Sequence, residues 1–166
     1  MLWKIFPAVA GLTVVLAVLA SEVLATPPSS TLVVVTARGT FADSLNVNTK
    51  FANDAKVKVS TKGDVELITQ RIEAPAGSTF GWHSHPGENF NVMLQGTLTL
   101  YHDEHCSEGI NYGTGDAFTT SPDQIHLARN NGSETVIFFA TYFAPKTTPP
   151  TPVRLDAPLP APGCPQ

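Results

Sequence analysis

His83 and His85 are separated by one residue, so on an extended chain both imidazoles leave the same face of a strand. Neutral imidazole is the commonest protein ligand for a transition metal. A third histidine, His126, follows a Pro122-Asp123 turn and opens the run His126-Leu127-Ala128-Arg129. Three neutral nitrogens suit Fe, Zn, Ni, Cu or Mn without choosing among them. They leave coordination positions free for water, a substrate or O2. They also leave the ion's +2 charge uncancelled, which favours anionic ligands and lowers the pKa of bound water. Affinity is expected to fall below about pH 6, as imidazoles protonate near their usual pKa of ~6.5. The competing reading is a trio that hydrogen-bonds and holds no metal.

Parity assigns the neighbours. Pro86-Gly87 breaks the strand after His85, and Asn89, Asn91 and Met93 then share one face of the next run, with Phe90, Val92 and Leu94 on the other. If Asn89 faces the ion it offers a carbonyl oxygen as a fourth ligand, and Asn91 and Met93 line the same pocket. Phe80 and Trp82 have the opposite parity to His83, which suits core packing.

The spacing resembles the cupin superfamily. Its first motif reads G-x5-H-x-H-x3,4-E-x6-G, and Gly77, His83, His85 and Gly96 occupy it in register. Its second reads G-x5-P-x-G-x2-H-x3-N, matched by Gly115, His126 and Asn130. The resemblance covers residues 64–145. It implies an all-β, cupin-type jelly-roll β-barrel in a single domain, with a divalent metal on His83, His85 and His126. Two departures stand out. Asn89 occupies the place of the family's metal-binding glutamate, and Glu88 is one residue early, pointing the other way on a regular strand. In the second motif Ser121 replaces the proline, Pro122 falls one place late, and Asp123 replaces the glycine.

The elements that must position these residues are strands. Residues 31–36 are β-branched and apolar, residues 43–54 read as a loop or weak edge, and residues 56–60 and 65–72 alternate around Lys62-Gly63-Asp64, the pattern of a hairpin. Runs at 90–94, 97–101, 112–114, 117–120 and 126–129 recur with turn signals between them, as in a sandwich or barrel. Residues 134–143 form the most apolar run and read as a strand buried on both faces. No segment keeps a helical period, and no repeat is visible.

At 166 residues the chain suits one domain. Only 14% of residues are charged, the net charge is −4, and no Lys/Arg cluster occurs, which argues against nucleic acid or an anionic membrane as partner. The expected partner is a small-molecule ligand, with a homodimer as the candidate assembly. Residues 1–25 read as a signal peptide: Lys4, an apolar run over 5–20, and Val23-Leu24-Ala25 ahead of a cut at Thr26, with a second cut before Ser21. The run is short for a membrane span. A secreted or extracytoplasmic location follows, with no membrane attachment after cleavage. Residues 26–30 read as a linker, residues 31–145 as the barrel, and residues 146–166 as a proline-rich extended tail.

Cys106 and Cys164 are the two cysteines, and oxidising surroundings favour a disulfide between them. Alternatives are a metal site of Cys106 with His102 and His105, or two free thiols. For function, the resemblance implies a metal-dependent enzyme of dioxygenase, isomerase or lyase type acting on a small molecule. The alternative is a non-catalytic barrel that binds a metal or small ligand, favoured by the missing glutamate.

Overall fold

The structure, a computed structural model, describes residues 25–166; the signal-peptide reading lies outside the described residues, apart from Ala25. Twelve strands are joined by turns: β1 (Leu32–Thr40), β2 (Asn46–Lys50), β3 (Lys56–Ser60), β4 (Val65–Ala74), β5 (His83–Ser84), β6 (Asn89–Gln95), β7 (Leu98–His102), β8 (Ile110–Tyr112), β9 (Ala117–Thr120), β10 (His126–Arg129), β11 (Val136–Pro145) and β12 (Leu155–Asp156). Among the described residues the only helix is a single 3-10 turn, Asp103–His105. The all-β jelly-roll expectation is met.

The larger sheet runs β1-β4-β11-β6-β9 and the smaller β12-β5-β10-β7-β8, with every pairing antiparallel. Alternation decides what fills the space between them. Ile68 and Ile72 of β4, Met93 of β6, and Val136, Phe138, Ala140 and Tyr142 of β11 face Leu98 and Leu100 of β7 and Ala128 of β10 in one apolar cluster. The outward residues Phe90, Val92 and Leu94 are exposed.

Two local expectations are corrected. The hairpin at residues 56–60 pairs backwards: β3 pairs with β2, inside the segment read as a loop, while β4 pairs with β1 and β11. Asn46 to Lys50 alternates polar with β-branched residues, and that pattern is weak because neither face is buried. The strand at 134–143 is buried on one face only: Phe139 stays 40% exposed, while Phe138, Ala140 and Tyr142 point inward. An apolar run cannot by itself distinguish a strand covered twice from one with a greasy outer face.

The smaller sheet is covered on both sides. Its inner face meets the barrel core, and its outer face carries Trp82 and Leu127 under Ala157 and Cys164 of the tail. The tail is therefore docked across the barrel. β12 pairs with β5, Ala157 N–H donates to the Trp82 carbonyl (2.9 Å), and the Trp82 indole N–H donates to the Pro165 carbonyl (2.8 Å). Proline-rich chain forms no central strand, and β12 sits at the sheet edge. A disulfide joins Cys106 to Cys164 across Cα atoms 5.2 Å apart, so Cys106 is no partner for His102 and His105 in a metal site.

Residues 26–30 are pinned as well. Thr26 N–H donates to the Ala157 carbonyl (3.3 Å), its hydroxyl oxygen accepts from Trp82 N–H (2.6 Å), and Ser29 bridges to Thr79. Gly81 makes this approach possible. It has φ +65°, and a Cβ there would run into the Thr26 carbonyl.

Candidate metal centre

His83, His85 and His126 come together inside the barrel, all buried, with the ligand atoms they offer within 4.8 Å of one another. β5 and β10 make this happen, because His126 and His83 are directly opposite in the ladder. His85 follows β5 on the same side. Ring centroids lie 4.4 Å apart for His83 and His126, and 4.9 and 5.0 Å for the pairs with His85.

Each ring is oriented through Nδ1. His83 Nδ1 lies 2.8 Å from the Gly81 carbonyl, His126 Nδ1 2.8 Å from the Gln124 carbonyl, and His85 Nδ1 2.5 Å from the Val153 carbonyl. A carbonyl only accepts, so each Nδ1 carries the proton and each Nε2 keeps its lone pair. This is how metal-ligating histidines are commonly held, with tautomer and ring angle set by the carbonyl behind. Two of the carbonyls stand two residues before their histidine. The third comes from the tail, 68 residues away.

Burial keeps these imidazoles neutral. Desolvation lowers the His85 pKa from its ordinary value to about 4 and that of His126 to about 3, and it depresses His83 as well. The nearby Arg154 charge adds to the effect at all three. Protonation near pH 6, expected for exposed rings, is therefore displaced to more acid pH.

The trio lines a cavity of about 40 Å³ between the sheets, together with Asn89, Asn91, Thr120 and Tyr142. That is room for an ion and one or two water-sized ligands. Asn89 Oδ1, Asn91 Nδ2 and Thr120 Oγ1 are buried without a hydrogen-bond partner among the described residues. An unpartnered buried carbonyl oxygen beside three lone-pair nitrogens is what a cation site requires, so the residues fit a divalent metal. Met93 shares the parity of Asn89 and Asn91 but lies further along β6, in the core rather than at the cavity wall.

Phe80 and Trp82 do not share a face, whereas Glu88 points away from the site as parity requires. Phe80 lines the cavity while Trp82 packs beneath the tail, although strand alternation puts both on one face. The positive φ of Gly81 between them reverses the chain's sense. Glu88 is half-buried; its carbonyl accepts from Phe143 N–H (3.0 Å), and it lies outside the cavity lining. A close approach fixes this turn, since a Cβ on Gly87 would meet the Phe143 carbonyl.

The second motif's departure has a backbone explanation. Asp123 adopts φ +58°, a conformation suited to the glycine it replaces and tolerated by aspartate. Its N–H donates to the His85 carbonyl (2.9 Å), tying the turn before His126 to the HxH segment. Asn130 is wholly buried and structural: Nδ2 donates to the Ala74 and Glu134 carbonyls (2.8 and 2.7 Å) and Oδ1 accepts from Gly132 N–H (3.0 Å).

Residues 70–142, which contain all three histidines, match the family model described as a cupin domain. A cupin domain spans that stretch. No curated protein sequence matches this cupin significantly. Among solved structures it is similar to a conserved protein with a double-stranded β-helix domain from Klebsiella pneumoniae, at 19% identity over 63% of this chain and 78% of that one, TM-score 0.43. A cupin 2 conserved barrel domain protein from Salinispora arenicola is 18% identical over 47% and 62% of the two chains, TM-score 0.42. A predicted oxalate decarboxylase from Thermotoga maritima is 23% identical over 50% and 82%, TM-score 0.40.

The tail and Tyr142 are what sequence reasoning missed at this centre. Tyr142 stacks edge-on against His85, 5.0 Å between centroids. Its phenol is pushed to a higher pKa by burial, so it keeps its proton and can donate. The even parity it shares with Phe138 and Ala140 was the available signal. The Val153 carbonyl had none, because a backbone acceptor leaves no mark in side-chain spacing.

Proposed function

We propose that this cupin binds one divalent transition metal through the Nε2 atoms of His83, His85 and His126, with Asn89 Oδ1 as a weak fourth ligand, and holds a small molecule at the positions left open. The observation that carries this reading is the set of three Nδ1–carbonyl contacts, which commits each ring to one tautomer. When bound, the ion would supply Lewis-acid polarisation of an oxygen ligand, or a redox centre if it is iron, manganese or copper. The protein's part is to exclude water, orient the rings, and offer the Tyr142 hydroxyl as a proton donor beside His85. No carboxylate lines the inner cavity to serve as a general base. Binding and polarisation are thus what the residues support best, and enzymatic turnover of dioxygenase, isomerase or lyase type is the further step.

The test is metal analysis of protein purified without chelators or an affinity tag, followed by calorimetric titration with zinc, manganese, iron(II), nickel and copper. About one ion per chain, lost in His83→Ala, His85→Ala and His126→Ala, is expected. A parent that takes up none of the five overturns the reading.

Export completes the proposal. The Cys106–Cys164 disulfide supports an oxidising compartment, and cleavage before Thr26 would leave its nitrogen bonded to the Ala157 carbonyl. N-terminal sequencing of the exported protein should begin at Thr26, or less favourably Ser21; an intact Met1 in a soluble cytoplasmic product refutes export.

A further inference from the structure

A second cleft, of about 190 Å³, opens against the histidine cavity and shares His83, His85, Phe80, Ile72 and Tyr142 with it. Its distinctive residue is Arg154, on the docked tail immediately after Val153. The side chain is three-quarters covered (25% exposed), and Nε donates to Asp156 Oδ1 at 2.6 Å. Nη2 is shielded from solvent and has no acceptor among the described residues. A covered, unpaired cationic N–H is costly to maintain. It borders a cleft that leads to three neutral nitrogens.

We propose that Arg154 is an anion-recognition residue, and that the cleft binds a small organic carboxylate with its charged end between Arg154 and the histidine centre. The inference rests on the proposed role of the histidines as a binding centre and adds the chemical class of the ligand. Asp156 holds one edge of the guanidinium and so aims the remaining N–H groups, the fork geometry that suits a planar carboxylate. Tyr142 lines both spaces and offers an O–H to the same group. Ile72, Phe80, Val33 and Val153 make most of the remaining wall apolar, with Thr31 and Gln70 as its polar members, which fits a short hydrocarbon body. Arg154 is the one cationic side chain of the lining, whose other donors are the Tyr142 and Thr31 hydroxyls and the Gln70 amide, and a single guanidinium matches a monoanionic carboxylate better than a phosphate dianion.

Propionate and its neutral analogue propionamide distinguish the charge requirement, with two-dimensional amide NMR of the zinc-loaded full chain as the readout. Propionate should shift the amides of residues 82–85 and 153–157, and propionamide should bind at least tenfold more weakly. Arg154→Gln should weaken propionate on the order of ten- to a hundredfold, as expected for loss of a charge-assisted hydrogen bond. It should leave zinc affinity unchanged or tighter, because a like charge near the ion is removed. Arg154→Lys should fall between, having charge without the fork.

Equal affinity of parent and Arg154→Gln, equal binding of propionamide, inorganic phosphate binding as tightly as propionate, or no propionate binding by the parent overturns the proposal. If Arg154→Gln releases the tail, seen as collapse of the Leu155 and Ala157 amide shifts, Arg154→Lys carries the comparison, and parent-like affinity there overturns it. A parent that holds no zinc refutes the metal reading alone. The same titration on zinc-free protein then decides Arg154 by the same ratio.

Discussion

Replacing both cysteines by alanine, Cys106→Ala/Cys164→Ala, separates what the disulfide does to the unfolded chain from what it does to the metal centre. The bond closes a 58-residue separation. Loop entropy for a ring of that size is worth about 4 kcal/mol at 25 °C. For a chain of this length each kcal/mol shifts the midpoint by roughly 2–4 °C, so the melting temperature should fall by roughly 8–16 °C. Alanine is preferred to serine because Cys164 is only 7% exposed, and a hydroxyl there would be buried. On the native side the tail keeps the Trp82–Pro165, Arg129–Gln166 and Ala157–Trp82 hydrogen bonds. It should therefore remain docked for most of the time, opening more often than in the parent. Each opening takes the Val153 carbonyl from His85. Loss of such a contact behind a ligand typically costs about 10- to 100-fold in metal affinity, which sets an upper bound for partial opening. The assay is thermal unfolding by circular dichroism, paired with calorimetric zinc titration. A midpoint within about 2 °C of the parent would refute the entropic account. An unchanged zinc affinity would show that the noncovalent contacts alone keep the Val153 carbonyl on His85.

Three further outcomes are expected. Asn89→Glu should tighten metal binding by placing a charged oxygen beside the ion, and Asn89→Ala should cost much less than loss of any one histidine; calorimetry of the five variants at neutral pH decides, and three histidine variants that bind like the parent would move the site elsewhere. In metal-free protein, His85 and His126 stay neutral down to about pH 4 and 3 while unfolded imidazoles take up protons below ~6.5. The unfolded state then binds more protons, so stability should fall as pH drops from about 6.5 to 4, and a flat melting temperature across that window would contradict the burial described. Asn130→Ala removes three hydrogen bonds of a fully buried amide, a loss of roughly 3 kcal/mol; denaturant titration should show it, with zinc affinity of the surviving folded protein unchanged.

The histidine trio was visible in sequence because a chelating set leaves a periodic trace: HxH on one strand face, and His126 at a fixed offset to Asn130. Barrel architecture was visible for a similar reason, since one-sided burial writes alternation into β4, β6 and β9. Phe80 packs against the core as its parity suggested, but not on the same face as Trp82, because the positive φ of Gly81 interrupts the alternation. β2 escaped notice because an exposed ribbon has no buried face to impose a pattern. The tail's role at the site was hidden twice over. Its proline content reads as an unpaired extended chain, and its contact with His85 is a main-chain oxygen whose side chain, Val153, bears no functional group.

Because His85 leans on a carbonyl 68 residues further along, the centre has an order of completion as well as a geometry. Contacts of long sequence separation form after the entropy of closing the intervening loop has been met, whereas β2–β3 and β7–β8 need only short turns. The tail accordingly settles onto a barrel already built. Under reducing conditions no covalent bond retains it there, and His85 is the least firmly held of the three rings. Such a chain would offer two well-set histidines and a third that is released whenever the tail opens, a somewhat weaker competitor for an ion. Oxidation of Cys106 and Cys164 completes the third. On the proposed export and metal binding, the ion would be drawn from those available where the disulfide forms, and not from the pool in which the chain is made.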